Sequence, residues 1–245
     1  MSEVELDYWA RIWSNVHDNF LEFTAVTSKA QGKYTSMAKG FGVGKSSLAL
    51  WVSFILHYWE VYGVVPVAEM DTEDREIWSL VLERMTYDKL ELIDWATRYE
   101  RIPALIWDDA QMTAPSVGSI PEIDRFIASF LTTARTSIAN VIMTMPELSS
   151  ISKPFRQLVD YEMIVYDRGR YELQFIQTRK KFRNPYEDMK RMILLDTGEY
   201  DPPPEWVYKR YLEWRERERR RVIRRYLEQR RRMLERQGLE IDVPV

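Results

Sequence analysis

The stretch that most constrains how this chain can fold is MAKGFGVGKSSLAL, residues 37–50. Three glycines alternate with other residues, a Lys-Ser pair follows, and the chain runs on as SSLALWVSFILHYWEVYG, apolar nearly all round. A helix without a polar face has to be buried, and its natural cover is a sheet. Glycines ahead of it free the backbone to turn N–H groups inward, toward the positive end of the helix. KYTSMAKG, just upstream, is the candidate strand, so a strand–loop–helix unit is expected here.

That junction nearly matches the phosphate-loop pattern G-x-x-x-x-G-K-[ST]. Gly40, Gly42 and Gly44 supply unhindered backbone, with Phe41 and Val43 between them. Lys45 is the lysine for the terminal phosphates, Ser46 the hydroxyl for magnesium, and Ser47 a second candidate. Lys39 stands where the pattern has its first glycine. Either Gly40 takes over the tight turn, or Lys39 itself reaches a phosphate. The plainer alternative is a glycine turn before a helix; the agreement of strand, glycines, Lys-Ser and helix favours a nucleotide, with ATP and Mg2+ as the implied cofactors.

A phosphate loop calls for a second strand that ends in acid, and ALIWDDAQ fits. The apolar run ends at Trp107, which favours Asp108 as the metal carboxylate and Asp109 as the one that polarises attacking water; the swapped assignment stays open, because successive strand residues face opposite ways. The alternative is two solvated aspartates at a strand end. In NVIMTMPE, Thr144 either touches the γ-phosphate or the water, or bonds backbone as a strand-end hydroxyl. Arg135 and Arg156 read by themselves as arginines in surface ion pairs.

Elsewhere, residues 3–22 read as an amphipathic helix on Leu6, Trp9, Trp13, Val16 and Phe20, and 23–33 as irregular. VVPVAEM reads as a strand. DTEDREIWSLVLERM and DKLELIDWATRYERI read as helices, the first with Asp71 and Asp74 at cap spacing. Residues 121–137 read as another helix. YEMIVYDRGRYELQFIQ is a hairpin around Arg-Gly, and RMILLDTGEYD adds a further strand. Strands alternating with helices predict an α/β, three-layer fold with a mostly parallel central sheet. The expected domains are 1–32, an N-terminal helix and linker; 33–200, the nucleotide core; and 201–245, a basic helical tail after DPPPE.

The absence of cysteine and the presence of only two histidines exclude thiolate chemistry and a histidine zinc cage. No apolar run has membrane-spanning length and the acidic start is unlike a signal peptide, so a cytoplasmic protein with no membrane partner is expected. Net charge is −3, but residues 205–237 hold thirteen Lys/Arg against six Glu, a local +7 that leaves −10 for the rest. The tail has no Gly or Pro between Val207 and Gln237, so a long helix is expected, solvent-exposed on every side from Arg215 to Arg221. Either Arg219, Arg220, Arg221, Arg224 and Arg225 bind nucleic-acid phosphates, or the helix docks on its own acidic core or a neighbour.

In the order KGFGVGKSS, ALIWDDAQ, VIMTMPEL and PFRQLVDYEMIVYDRGRYELQF, the chain resembles the additional-strand class of P-loop ATPases. Two groups share that order: the AAA+ group, including DnaA-like ATPases of crenarchaeal viruses and plasmids, and the FtsK/HerA-like DNA-pumping motors. Lys39 departs from both groups, and Asp109 stands where most members carry Glu. The resemblance implies ATP hydrolysis coupled to DNA transactions of a virus or plasmid, and homo-oligomeric assembly in which a neighbour supplies the arginine. The resemblance alone makes Arg135 and Arg156 arginine-finger candidates, since ring-forming relatives often place a finger at such positions. The alternative is a slow nucleotide-dependent switch or scaffold acting on protein partners.

Overall fold

A computed structural model describes residues 3–18, 20–28, 44–66, 71–98, 100–118, 121–181 and 184–236. Its centre is a seven-stranded sheet in the order β2-β3-β4-β1-β5-β6-β7. The strands are β1 (Glu22–Ser28), β2 (Met85–Thr86), β3 (Leu105–Trp107), β4 (Asn140–Thr144), β5 (Tyr161–Asp167), β6 (Arg170–Lys181) and β7 (Asn184–Glu199). The first five of that order are parallel; β6 and β7 continue it as an antiparallel wing.

Helices cover both faces, giving the three-layer α/β fold expected from the alternating pattern. On one face lie α1 (Glu3–Asp18), α2 (Lys45–Tyr62), α3 (Arg75–Glu83) and the start of α7 (Glu205–Arg236), packed on Val26, Ile106, Ile142 and Met163. On the other lie α4 (Glu91–Ala96), α5 (Pro121–Leu131) and α6 (Lys153–Arg156), packed on Ala25, Leu105, Trp107, Val141 and Met143. Phe54 of α2 stacks on Trp78 of α3 at 4.3 Å, both fully buried. Burying one such apolar side chain stabilises by about 1.5–3 kcal/mol.

Two sequence expectations are corrected at the start of the fold. The helix expected over 3–22 stops at Asp18, and the expected irregular linker contains β1, the strand around which the sheet is built. EFTAVTS is buried along its whole length, so it lacks the in–out alternation that marks a half-exposed strand. The strand expected at KYTSMAKG lies outside the described residues. Of VVPVAEM, Val64 to Pro66 form no strand and the remainder lies outside the described residues; the strand beside β3 is Met85–Thr86 instead.

Several local signals act as read. Asp74 caps α3, accepting from the amides of Glu76 at 2.9 Å and Ile77 at 3.0 Å. Gly63 ends α2 in the left-handed region at φ 70°, its N–H on the Trp59 carbonyl at 2.8 Å. The helices expected over 88–102 and 121–137 are shorter, Glu91–Ala96 and Pro121–Leu131. The hairpin turns at Arg168-Gly169, and the tail is one helix of 32 residues. Among the described residues no helix is long and apolar enough to cross a membrane.

His57 sits wholly inside the α2 face, its Nδ1 donating to the Ser53 carbonyl at 2.7 Å. Burial, with Arg84 nearby, pushes its pKa down to about 3. The unfolded chain then binds more protons than the native one from about pH 6.5 down to about 3, and that part of the stability is lost as pH falls through this window. Urea unfolding should show stability declining by up to about 1.4 kcal/mol per pH unit below pH 6.5. A His57→Gln variant should show a flatter profile.

Candidate functional site

The described cluster lies at the carboxyl end of the parallel strands, where β3, β4 and the first turn of α2 meet. In open α/β sheets this is the edge at which ligands bind. Gly44 caps α2 with φ 100°, and a Cβ there would meet the Tyr200 hydroxyl oxygen at 2.6 Å. The positive φ favours glycine here, and a side chain would also have to displace the tip of Tyr200. Tyr200 also donates from its hydroxyl to the Gly44 carbonyl at 3.1 Å, tying the start of α2 to the end of the sheet domain.

From that turn Ser46 donates its hydroxyl to Oδ1 of Asp108 at 3.0 Å. Thr144, the last residue of β4, donates to the same oxygen at 2.7 Å. The Thr144 hydroxyl also accepts from the Asp109 amide at 2.8 Å. Asp109 has φ 48°, the one non-glycine residue with positive φ among the described residues. This conformation is uncommon for a side-chain-bearing residue, and strain of this kind is held in place at functional sites by its surroundings. Here the Thr144 bond to its amide holds it.

Asp108 is fully buried. Burial, then its neighbour Asp109, raises its pKa above the ordinary carboxylate value; Arg215 and the hydrogen bonds from Thr144 and Tyr211 oppose the rise. Lys45 is pushed below the ordinary lysine value, mainly by burial, while Asp109 works the other way. A cavity of about 610 Å³ opens beside them, its lining including Gly44, Lys45, Ser46, Ser47 and Asp109. The hairpin turn Arg168–Gly169, the stretch from Tyr200 to Pro203, and Tyr208, Tyr211 and Arg215 of α7 line it as well.

The structure thus brings together Lys45, Ser46, Asp108, Asp109 and Thr144, with Gly44 and Ser47 on the cavity wall. Lys39, Gly40, Phe41, Gly42 and Val43 lie outside the described residues. Arg135 sits in a 3-10 turn just ahead of β4, at the opposite edge of the sheet from Thr144. Arg156, on α6, does not line the cavity. Neither finger candidate joins this chain's own cluster.

An arginine that does enter comes from the tail. Arg215 pairs with Oδ2 of Asp109, and its Nε lies 3.6 Å from Oδ2 of Asp108. One turn earlier on α7, Tyr211 donates to that Asp108 oxygen at 2.8 Å. Arg221 pairs with Glu91 and Glu218, Arg225 with Asp88, and Arg220 with Glu216. The expectation that residues 215–221 stand clear of the core on every side is therefore corrected: Glu218 is buried, and Arg215 reaches the carboxylates. Most of the tail arginines with a pairing here are engaged inside the molecule rather than spread as a nucleic-acid surface. Of the two readings of the tail, docking on the chain's own acidic core is the one seen, and Val207, Tyr211 and Trp214 at helical spacing form the docking face of an otherwise charged helix.

The donor set suits a hard divalent cation. A hydroxyl and a carboxylate share one corner, and a cation of the magnesium type is held by one or two such oxygens, completing its shell with phosphate and water. Among the described residues no group of three or more His, Cys, Asp or Glu could hold a metal by itself.

No family model matches this chain, and no curated protein matches it. Among solved structures, the N-terminal domain of zonular occludens toxin from Neisseria meningitidis is similar over 78% of this chain and 98% of that one, at 15% identity and a TM-score of 0.37. A likeness at that level says nothing about chemistry.

Proposed function

We propose that the chain binds ATP with Mg2+ and hydrolyses it, as an additional-strand P-loop ATPase. The observation that carries this is the Ser46–Asp108 contact at 3.0 Å, which joins the first turn of the glycine-loop helix to the end of the acidic strand. Two residues 62 apart in sequence meet where the motif requires them to. Further support comes from the strand order, in which β4 separates β1 from β3. That is the arrangement which defines the additional-strand class.

In this site the amides around Gly44 and the Lys45 ammonium hold the phosphates, and Ser46 with Asp108 would hold the magnesium. Magnesium, when bound, neutralises charge building on the phosphate oxygens. Asp109 accepts a proton from the attacking water, and Thr144 donates to the Asp108 carboxylate while accepting from the Asp109 backbone amide, which fixes the turn between them. The core would span residues 33–200 together with β1, with α7 as the appended tail.

The intended use of the energy is a DNA transaction, in a homo-oligomer whose neighbour supplies a further arginine. A second reading, a slow nucleotide switch acting on protein partners, is favoured by one observation: Arg215 and Tyr211 already occupy the carboxylates. Titration calorimetry with ATP, with and without Mg2+, tests the shared core of both. Magnesium-dependent binding is expected, and its absence ends both. Turnover measured with and without DNA then separates them: stimulation that fades with added salt favours the DNA role.

A further inference from the structure

The tail helix lies across the mouth of the site on a single face. Tyr211 and Arg215 meet Asp108 and Asp109 after β3, while Arg221 and Arg225 meet Glu91 and Asp88 after β2. Residues 211, 215, 218, 221 or 222, and 225 recur at helical spacing, so one stripe of α7 follows one edge of the sheet.

The Asp108 carboxylate offers about four lone-pair sites. Oδ1 takes the hydroxyls of Ser46 and Thr144; Oδ2 takes Tyr211 and faces Arg215. Every acceptor position thus has a donor or a positive charge. A divalent cation needs those lone pairs, and a guanidinium beside it repels it strongly where water is scarce. Arg215 alone could swing aside on its long stem. Tyr211 cannot: it is 1% exposed and its ring is packed in the core, so freeing Asp108 means moving the helix backbone.

We propose that α7 is an intramolecular strap that competes with the magnesium–triphosphate for Asp108 and Asp109, and that nucleotide binding lifts it from the mouth of the site. Because this rests on the nucleotide site proposed above, the two have to fail separately. Lifting α7 breaks the pairs of Arg215, Arg221 and Arg225 together and turns their charges to solvent. The nucleotide state is then read out as the exposure of a basic helix face.

The experiment uses the full chain and its Arg221→Ala/Arg225→Ala variant, whose changes lie on Glu91 and Asp88, away from the carboxylates that would meet the nucleotide. Hydrogen–deuterium exchange over residues 205–225 should quicken about tenfold or more on adding Mg-ATP. The variant should bind Mg-ATP about threefold to tenfold tighter, since two pairs that hold the closed form are gone. Exchange that is unchanged or slowed by nucleotide, with equal affinity in both proteins, overturns the strap and leaves the ATP site standing. Failure of both proteins to bind Mg-ATP overturns the strap and the ATP site together.

Discussion

Replacing Lys45 by alanine is expected to weaken Mg-ATP binding by about 100-fold, the equivalent of about 3 kcal/mol for one charge-assisted contact to phosphate. Lys45 sits in the first turn of α2, beside Gly44 and Ser46, on the wall of the cavity. Burial already disfavours its charge there, and Asp109 offsets part of that. A triphosphate would offset far more. Lys45→Arg should recover only part of the affinity, because a planar fork does not replace a compact point charge. Calorimetry on the three proteins, with circular dichroism to show a common fold, reads the result. Equal affinities would remove Lys45 from the site.

For Asp109→Asn the expectation is the converse: binding is retained while turnover falls by roughly 10²–10⁴-fold, the range lost with a general base. The amide cannot accept the proton of the attacking water, yet it fills the same space and the Thr144 bond to the backbone amide stays. Binding should be no weaker than in the natural protein, since Arg215 loses the charge that holds it over the site. Single-turnover hydrolysis followed beside equilibrium binding separates the two effects. Normal hydrolysis in the variant would place the base elsewhere.

How far the chain could be read in advance depended on whether the signal was local. ALIWDDAQ and NVIMTMPE announce buried parallel strands by unbroken apolar runs, and the Arg-Gly turn announces its hairpin, because each pattern lies within a dozen residues. The meeting of Ser46 and Asp108 was legible because each stands at a junction of fixed type; Thr144 was open between a site role and a backbone bond, and it makes both a bond to the Asp109 amide and one to Asp108. β1 was not, since Glu22 and three hydroxyl residues in seven disguise a strand whose burial comes from neighbours far along the chain. Arg215 was missed for a related reason. A charged helix looks solvated until the acidic edge that receives it has been assembled by other segments.

The position of β1 has a consequence for how the protein is made. Its hydrogen-bonding neighbours begin at Asn140 on one side and Tyr161 on the other, so no earlier segment can pair with it. At ordinary rates of synthesis, on the order of ten seconds separates the emergence of Glu22 from that of Asn140. Throughout that interval the strand has both edges bare, a template for any other extended chain nearby. Most of this chain must therefore leave the ribosome before its first strand acquires a partner.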